Sequence, residues 1–139
     1  MAGPLLLDTH VWVWVMEGSR REIRPSIRNR IRKAVTDAAV IVSIMSVWEI
    51  AMLDAKARLQ LSVDCRTWVE RALTAPGIRL QALTPAIAFE SCHLPGMIHG
   101  DPVDRILIAT ARLTGATLIT RDNRILEYSA SGNLECLET

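Results

Sequence analysis

The chain has 139 residues and a formal net charge of +1, and half of it is hydrophobic. Such a length favours one domain over residues 1–139, and the apolar share excludes a disordered chain, since a domain of this size buries roughly 70% of its unfolded surface. Three cysteines, Cys65, Cys92 and Cys136, are odd in number and lack metal or redox spacing, so a reducing compartment is expected. No basic region precedes the first apolar stretch, which Asp8 and His10 interrupt. No later run reaches ~18 apolar residues, so neither a signal peptide nor a membrane span is expected, and the expected location is the cytoplasm.

Strands and helices alternate along the chain. Residues 4–8 form a first strand, and the apolar segment after it, through Met16, turns helical. Ile23, Ile27, Ile31 and Val35 recur at helical spacing, which predicts an amphipathic helix over 23–38 with a basic outer face. That region is the one strong charge asymmetry. Residues 20–33 carry seven basic side chains against Glu22 alone, a local +6, while nine basic and fourteen acidic residues give the remainder −5. An acidic body with one basic helix suits a partner bearing phosphates or carboxylates.

Residues 39–43 are rich in β-branched side chains and predict a second strand. Ser46 is placed to cap a helix that runs to about Arg58. Trp68, Val69, Ala72 and Leu73 predict another helix, stopped near Pro76-Gly77. Residues 78–83 make a third strand. Thr84-Pro85 opens a short helix that fades by Pro95-Gly96, and Asp101-Pro102 opens a strong one that ends at Gly115. Residues 117–120 make a fourth strand, 122–128 a short helix and 134–137 a fifth strand. This order predicts an α/β fold, a parallel sheet covered by helices on both faces. Function in such sheets gathers beyond the carboxyl ends of the strands.

Four acids stand at or beside such points: Asp8, Glu49, Asp104 and Asp122. Each also has a structural reading. Asp104 in a first helical turn suits the helix dipole. Asp122 serves as a cap, and Glu49 fits a narrow exposed stripe of an otherwise apolar helix. Asp101, followed by Pro102, reads as an N-cap. Asp8 is harder to explain in this way, because a carboxylate closing a buried apolar strand is costly unless something binds it. One shared site explains four acids more simply than four coincidences do.

A converging carboxylate cluster calls for cations. Mg²⁺ and Mn²⁺ prefer carboxylate and water oxygens. Two such ions ~4 Å apart can activate a water, hold a phosphate and stabilise a leaving oxygen. The chain has no Gly-x-Ser-x-Gly elbow, no Walker loop and no supported Cys–His pairing. His10, His93 and His99 share no zinc spacing. His99 precedes Gly100-Asp101 and reads either as a phosphate contact or as a structural loop residue. Trp12, Trp14, Trp48 and Trp68 read as core or interface, and the apolar run Val11-Trp12-Val13-Trp14-Val15 as a surface for protein contact.

Four segments together resemble a known family: Leu5-Leu6-Leu7-Asp8-Thr9-His10, Ser46-Val47-Trp48-Glu49-Ile50-Ala51, His99-Gly100-Asp101-Pro102-Val103-Asp104-Arg105 and Thr120-Arg121-Asp122. In order and interval they are similar to PIN-domain proteins, in particular the VapC toxins of bacterial toxin–antitoxin pairs. The resemblance implies an α/β/α sandwich around a parallel sheet and Mg²⁺- or Mn²⁺-dependent endoribonuclease activity. It assigns the metal-site carboxylates to Asp8, Glu49, Asp104 and Asp122. It further implies a homodimer and a small VapB-like antitoxin that covers the site. Where relatives often carry glycine, this chain has Ala57.

On that reading Asp8 and Asp104 are the main metal ligands, while Glu49 and Asp122 complete the cluster and orient the attacking water. Thr9 and Thr120 hydrogen-bond ligands or carboxylates. Arg105 or Arg121 touches the scissile phosphate or pairs with a neighbouring acid. The basic segment guides RNA by charge or binds an acidic stretch of the antitoxin. Two rivals remain. A phosphatase or phospho-acceptor domain would need a second aspartate where His10 stands, or a late lysine, whereas the lysines are Lys33 and Lys56. A catalytically silent PIN-like binding module would keep the fold without the metal.

Overall fold

The computed structural model describes residues 3–96, 98 and 100–139, so His99 lies outside the described residues. Strand β1 (Leu5–Leu7) leads into α1 (Thr9–Met16) and α2 (Pro25–Thr36). Then come β2 (Val40–Ser43), α3 (Ile44–Ala55), α4 (Cys65–Thr74) and β3 (Ile78–Gln81). The second half holds α5 (Pro85–Ser91), α6 (Pro102–Thr114), β4 (Thr117–Thr120), α7 (Asn123–Ser129) and β5 (Cys136–Glu138). The strands form one five-stranded sheet in the order β3-β2-β1-β4-β5, with every neighbouring pair parallel.

The sheet is hydrophobic on both faces because helices cover both. Alternation along β1 divides the core. Leu5 and Leu7 pack with Trp12, Ile27, Ile31 and Trp68 under α1, α2 and α4. Leu6 joins Ile41, Leu118, Leu107 and Ile108 under α5, α6 and α7. The result is a three-layer α/β/α sandwich. Among the described residues no helix is long and apolar enough to cross a membrane.

Local chemistry sets the helix starts. Thr84 and Asp101 each accept from backbone N–H groups of the turn that follows, with proline at the first helical position. Several boundaries differ from expectation, and three of them have a clear local cause. Helix α2 begins at Pro25, since proline's fixed φ suits the first turn; Ile23 stays buried ahead of it. Ser43, not Ser46, caps α3 by accepting from the Met45 N–H at 3.0 Å. Ser46 instead lies one turn inside, fully buried, and accepts a hydrogen bond from the Thr9 hydroxyl at 2.9 Å. The last strand starts at Cys136, and Leu134 is buried in the loop before it.

Helix ends show the reverse pattern. Gly115 closes α6 in the left-handed region at φ 70°. After α3 the same left-handed conformation falls on Ala57, at φ 54°, with the Arg58 N–H donating back to the Leu53 carbonyl at 2.9 Å. A glycine would take that conformation without the Cβ clash that Ala57 bears. The apolar run of α1 also finds its role: Val11, Trp12 and Val13 are buried within the fold.

Candidate functional site

The strand order reverses between β1 and β4, because β2 lies on one side of β1 and β4 on the other. Side chains just past these two strands therefore face a crevice at the carboxyl edge of the sheet. A cleft of about 270 Å³ opens there. Asp8 and Asp122 border it from the ends of β1 and β4, Glu49 from α3, and Asp101 and Asp104 from the start of α6. Five carboxylates thus line one cleft. His10, Trp14, Arg121 and Arg124 line it with them.

Asp8 is the most tightly held acid. It caps α1, with Oδ1 accepting from the Thr9 N–H at 2.7 Å, and Oδ2 accepts from the Thr120 hydroxyl at 2.6 Å. The same Thr120 oxygen accepts from the Asp122 N–H at 3.0 Å, so one buried hydroxyl ties the two strand-end acids together. Burial raises the Asp8 carboxyl above its ordinary value of 3.8. The Thr120 and Thr9 hydrogen bonds and the charge of His10 pull it down, and Asp122 adds to the rise. Asp122 caps α7 through Oδ1, accepting from the Arg124 N–H at 2.8 Å. Asp101 caps α6, with Oδ1 accepting from the Val103 N–H at 2.9 Å and the Asp104 N–H at 3.2 Å.

The arginines named from the sequence stand differently. Arg105 donates through Nε to the Ser91 carbonyl at 2.8 Å, bracing α6 against α5. Arg121 borders the cleft but is engaged elsewhere. Its Nη1 donates to the Glu22 carboxylate at 2.5 Å, its Nη2 to the Glu22 carbonyl, and its Nε to the Thr139 hydroxyl at 3.2 Å. The guanidinium also lies over the Trp14 ring at 4.6 Å from the centroid. Thr9 is buried behind the cleft on Ser46. Sequence reasoning did not single out Arg124, although its place two residues after a strand-end acid is a usable signal. Trp14 gave no such signal, since its cation–π partner Arg121 comes from a distant segment.

Among the described residues, no three His, Cys, Asp or Glu side chains close on one point tightly enough to hold an ion. The cleft gathers the acids without drawing them into a first coordination sphere. Its acidic donors are oxygens, the kind hard divalent cations take, and Mg²⁺ in particular keeps several waters and binds through only one or two carboxylates.

The chain matches the PIN-domain family over residues 5–130. It is 32% identical over 126 residues to Ribonuclease VapC22 of Mycobacterium tuberculosis, covering 89% of this chain and 91% of that protein. By structure it is similar to VapBC2 from Rickettsia felis, solved bound to a DNA fragment from their promoter, at TM-score 0.68 and 14% identity over 96% of this chain and 97% of that one. DNA-bound VapBC from Salmonella typhimurium gives TM-score 0.69 at 14% identity, with 98% of each chain covered. FitAcB from Neisseria gonorrhoeae gives 0.64 at 19%, with 96% of each covered. The chain belongs to the PIN-domain family and is related to the VapC toxins of toxin–antitoxin systems.

Proposed function

We propose that this protein is an endoribonuclease toxin dependent on Mg²⁺ or Mn²⁺, held in check by a cognate VapB-like antitoxin. One observation carries the reading: acids from β1, α3, α6 and β4 line a single cleft at the switch point of the sheet. The name of its 32%-identical relative, a ribonuclease, supports the substrate class. Solved structures of similar fold include VapBC and FitAB assemblies, in keeping with a protein partner.

Asp8 and Asp104 would hold the divalent ion, with Glu49 and Asp122 completing its surroundings through waters. The ion would supply positive charge beside the phosphodiester and favour ionisation of water. Everything else falls to the chain. Thr120 fixes the aim of Asp8 and the start of the turn carrying Asp122. Thr9, bonded to Ser46, joins the first turn of α1 to α3, the helix that bears Glu49. Glu49 and Asp122 would accept hydrogen bonds from the water that attacks phosphorus and so orient it. A homodimer is part of the same proposal; Trp48 and Phe89, 55% and 67% exposed, offer large apolar surfaces to a second protein.

The test is the Asp104→Asn variant with RNA in Mg²⁺ or Mn²⁺. Cleavage should vanish while circular dichroism and Tm stay those of the parent. A variant that cuts as fast as the parent would sink the assignment. That no three ligating side chains among the described residues meet at one point favours one rival, a silent PIN-like binding module; calorimetric titration of the parent with Mn²⁺ showing no heat of binding would select it. Turnover of a generic phosphate monoester in place of RNA would select the phosphatase reading.

A further inference from the structure

A cleft lined by five carboxylates repels a polyanion, so a nuclease built on it needs a cation on its wall to hold the substrate phosphate. Arg105 is not that residue, since its Nε is turned to the Ser91 carbonyl and it does not border the cleft. Arg121 borders the cleft, yet all three of its guanidinium nitrogens donate, to Glu22 and Thr139, while its face covers Trp14. To reach a phosphate it would have to give up an ion pair, two further hydrogen bonds and a cation–π contact.

Arg124 meets the requirement. It borders the same cleft and is solvent-exposed. Its backbone N–H is fixed at 2.8 Å from Asp122 Oδ1. Among the described residues its side chain forms no hydrogen bond or ion pair. A guanidinium also presents a planar fork that matches two phosphate oxygens at once. His10, which lines the wall with the two arginines, offers no such fork.

Resting on the ribonuclease reading, we propose that Arg124 is the substrate-binding residue that holds an RNA phosphate at the cleft, and that Arg121 is a positioning residue that fixes the wall. Arg121 ties the end of β4 to the loop before α2 and to Trp14 of α1, so the cleft keeps its shape while Arg124 stays available.

The test measures binding of a single-stranded RNA by fluorescence anisotropy over roughly 50–200 mM salt, in the Asp104→Asn background so that no cleavage intervenes. Adding Arg124→Gln should weaken binding about tenfold and reduce the slope of log K against log salt by about 0.7, the share of one phosphate on a single strand. Arg124→Lys should restore the slope but only part of the affinity, because the charge returns without the fork. Arg121→Gln should lower Tm and leave the slope as it was. An unchanged slope and affinity in Arg124→Gln overturns the proposal, as does a slope loss that follows Arg121→Gln or His10→Gln instead. If the parent still cleaves RNA in that case, the ribonuclease reading survives alone. If the parent neither cleaves nor binds RNA, both fall together.

Discussion

The Thr120 hydroxyl donates to Asp8 and accepts from the Asp122 N–H, and the residue is fully buried. Only a small hydroxyl-bearing side chain does both jobs in that space. Valine would match the shape but leave a buried carboxylate oxygen and a backbone N–H without their partner. Thr120→Val should therefore cost about 1–3 kcal/mol, read as a fall in denaturant midpoint, whereas Thr120→Ser should recover most of it. A Thr120→Val protein as stable as the parent would show that the hydroxyl carries little. Single residues of the candidate site were legible where the signal is local: Asp8, Asp104 and Asp122 each end a strand or open a helix. The commitment of Arg121 was not. Glu22 lies 99 residues from it, and nothing in either neighbourhood announces the pair. Arg121 and Arg105 are turned elsewhere, and Arg124, an exposed arginine on the cleft wall, was singled out by no motif.

Most helices begin here on acids and hydroxyls, and Asp64 is an exposed instance. It caps α4 by accepting from the Thr67 N–H at 3.1 Å, and that hydrogen bonding holds its carboxyl below the ordinary value of 3.8. A lowered folded-state pKa means the unfolded chain binds the proton more readily. The cap's contribution is then fully present above the unfolded value and is lost as pH falls through the folded one. Asp64→Ala should lower Tm at neutral pH, and the gap to the parent should close in acid below pH 3.8. A gap that persists unchanged to the lowest pH would deny the carboxylate its role. Proline-marked starts such as Thr84-Pro85 and Asp101-Pro102 were readable because proline and an oxygen acceptor occur together. Ser46 misled because Ser43, three residues earlier, carries the same hydroxyl, and only tertiary contact with Thr9 decides between them. The short last strand was displaced for a similar reason: Leu134 is buried without belonging to the sheet.

At the scale of the whole molecule, alternation of β and α elements gives a parallel sheet but not its strand order, since several orders satisfy the same pattern. The observed order puts one core on each face. Ile27 belongs to one and Ile108 to the other. Ile27→Val and Ile108→Val should each cost about 0.5–1.5 kcal/mol, and the double variant should match their sum within about 0.5 kcal/mol in a single transition. A larger coupling would mean the sheet transmits strain between the layers. The position of β1 has one more consequence, for the growing polypeptide. Its two neighbours are made at very different times: β2 soon after it, β4 near the end, with Thr120 lying 112 residues past Asp8. A ribosome-bound fragment that stops short of β4 leaves the middle of its sheet with an open edge and half of the crevice missing. Such a fragment is prone to stick to its own kind through that edge, and the crevice is complete only once β4 and Asp122 have been made.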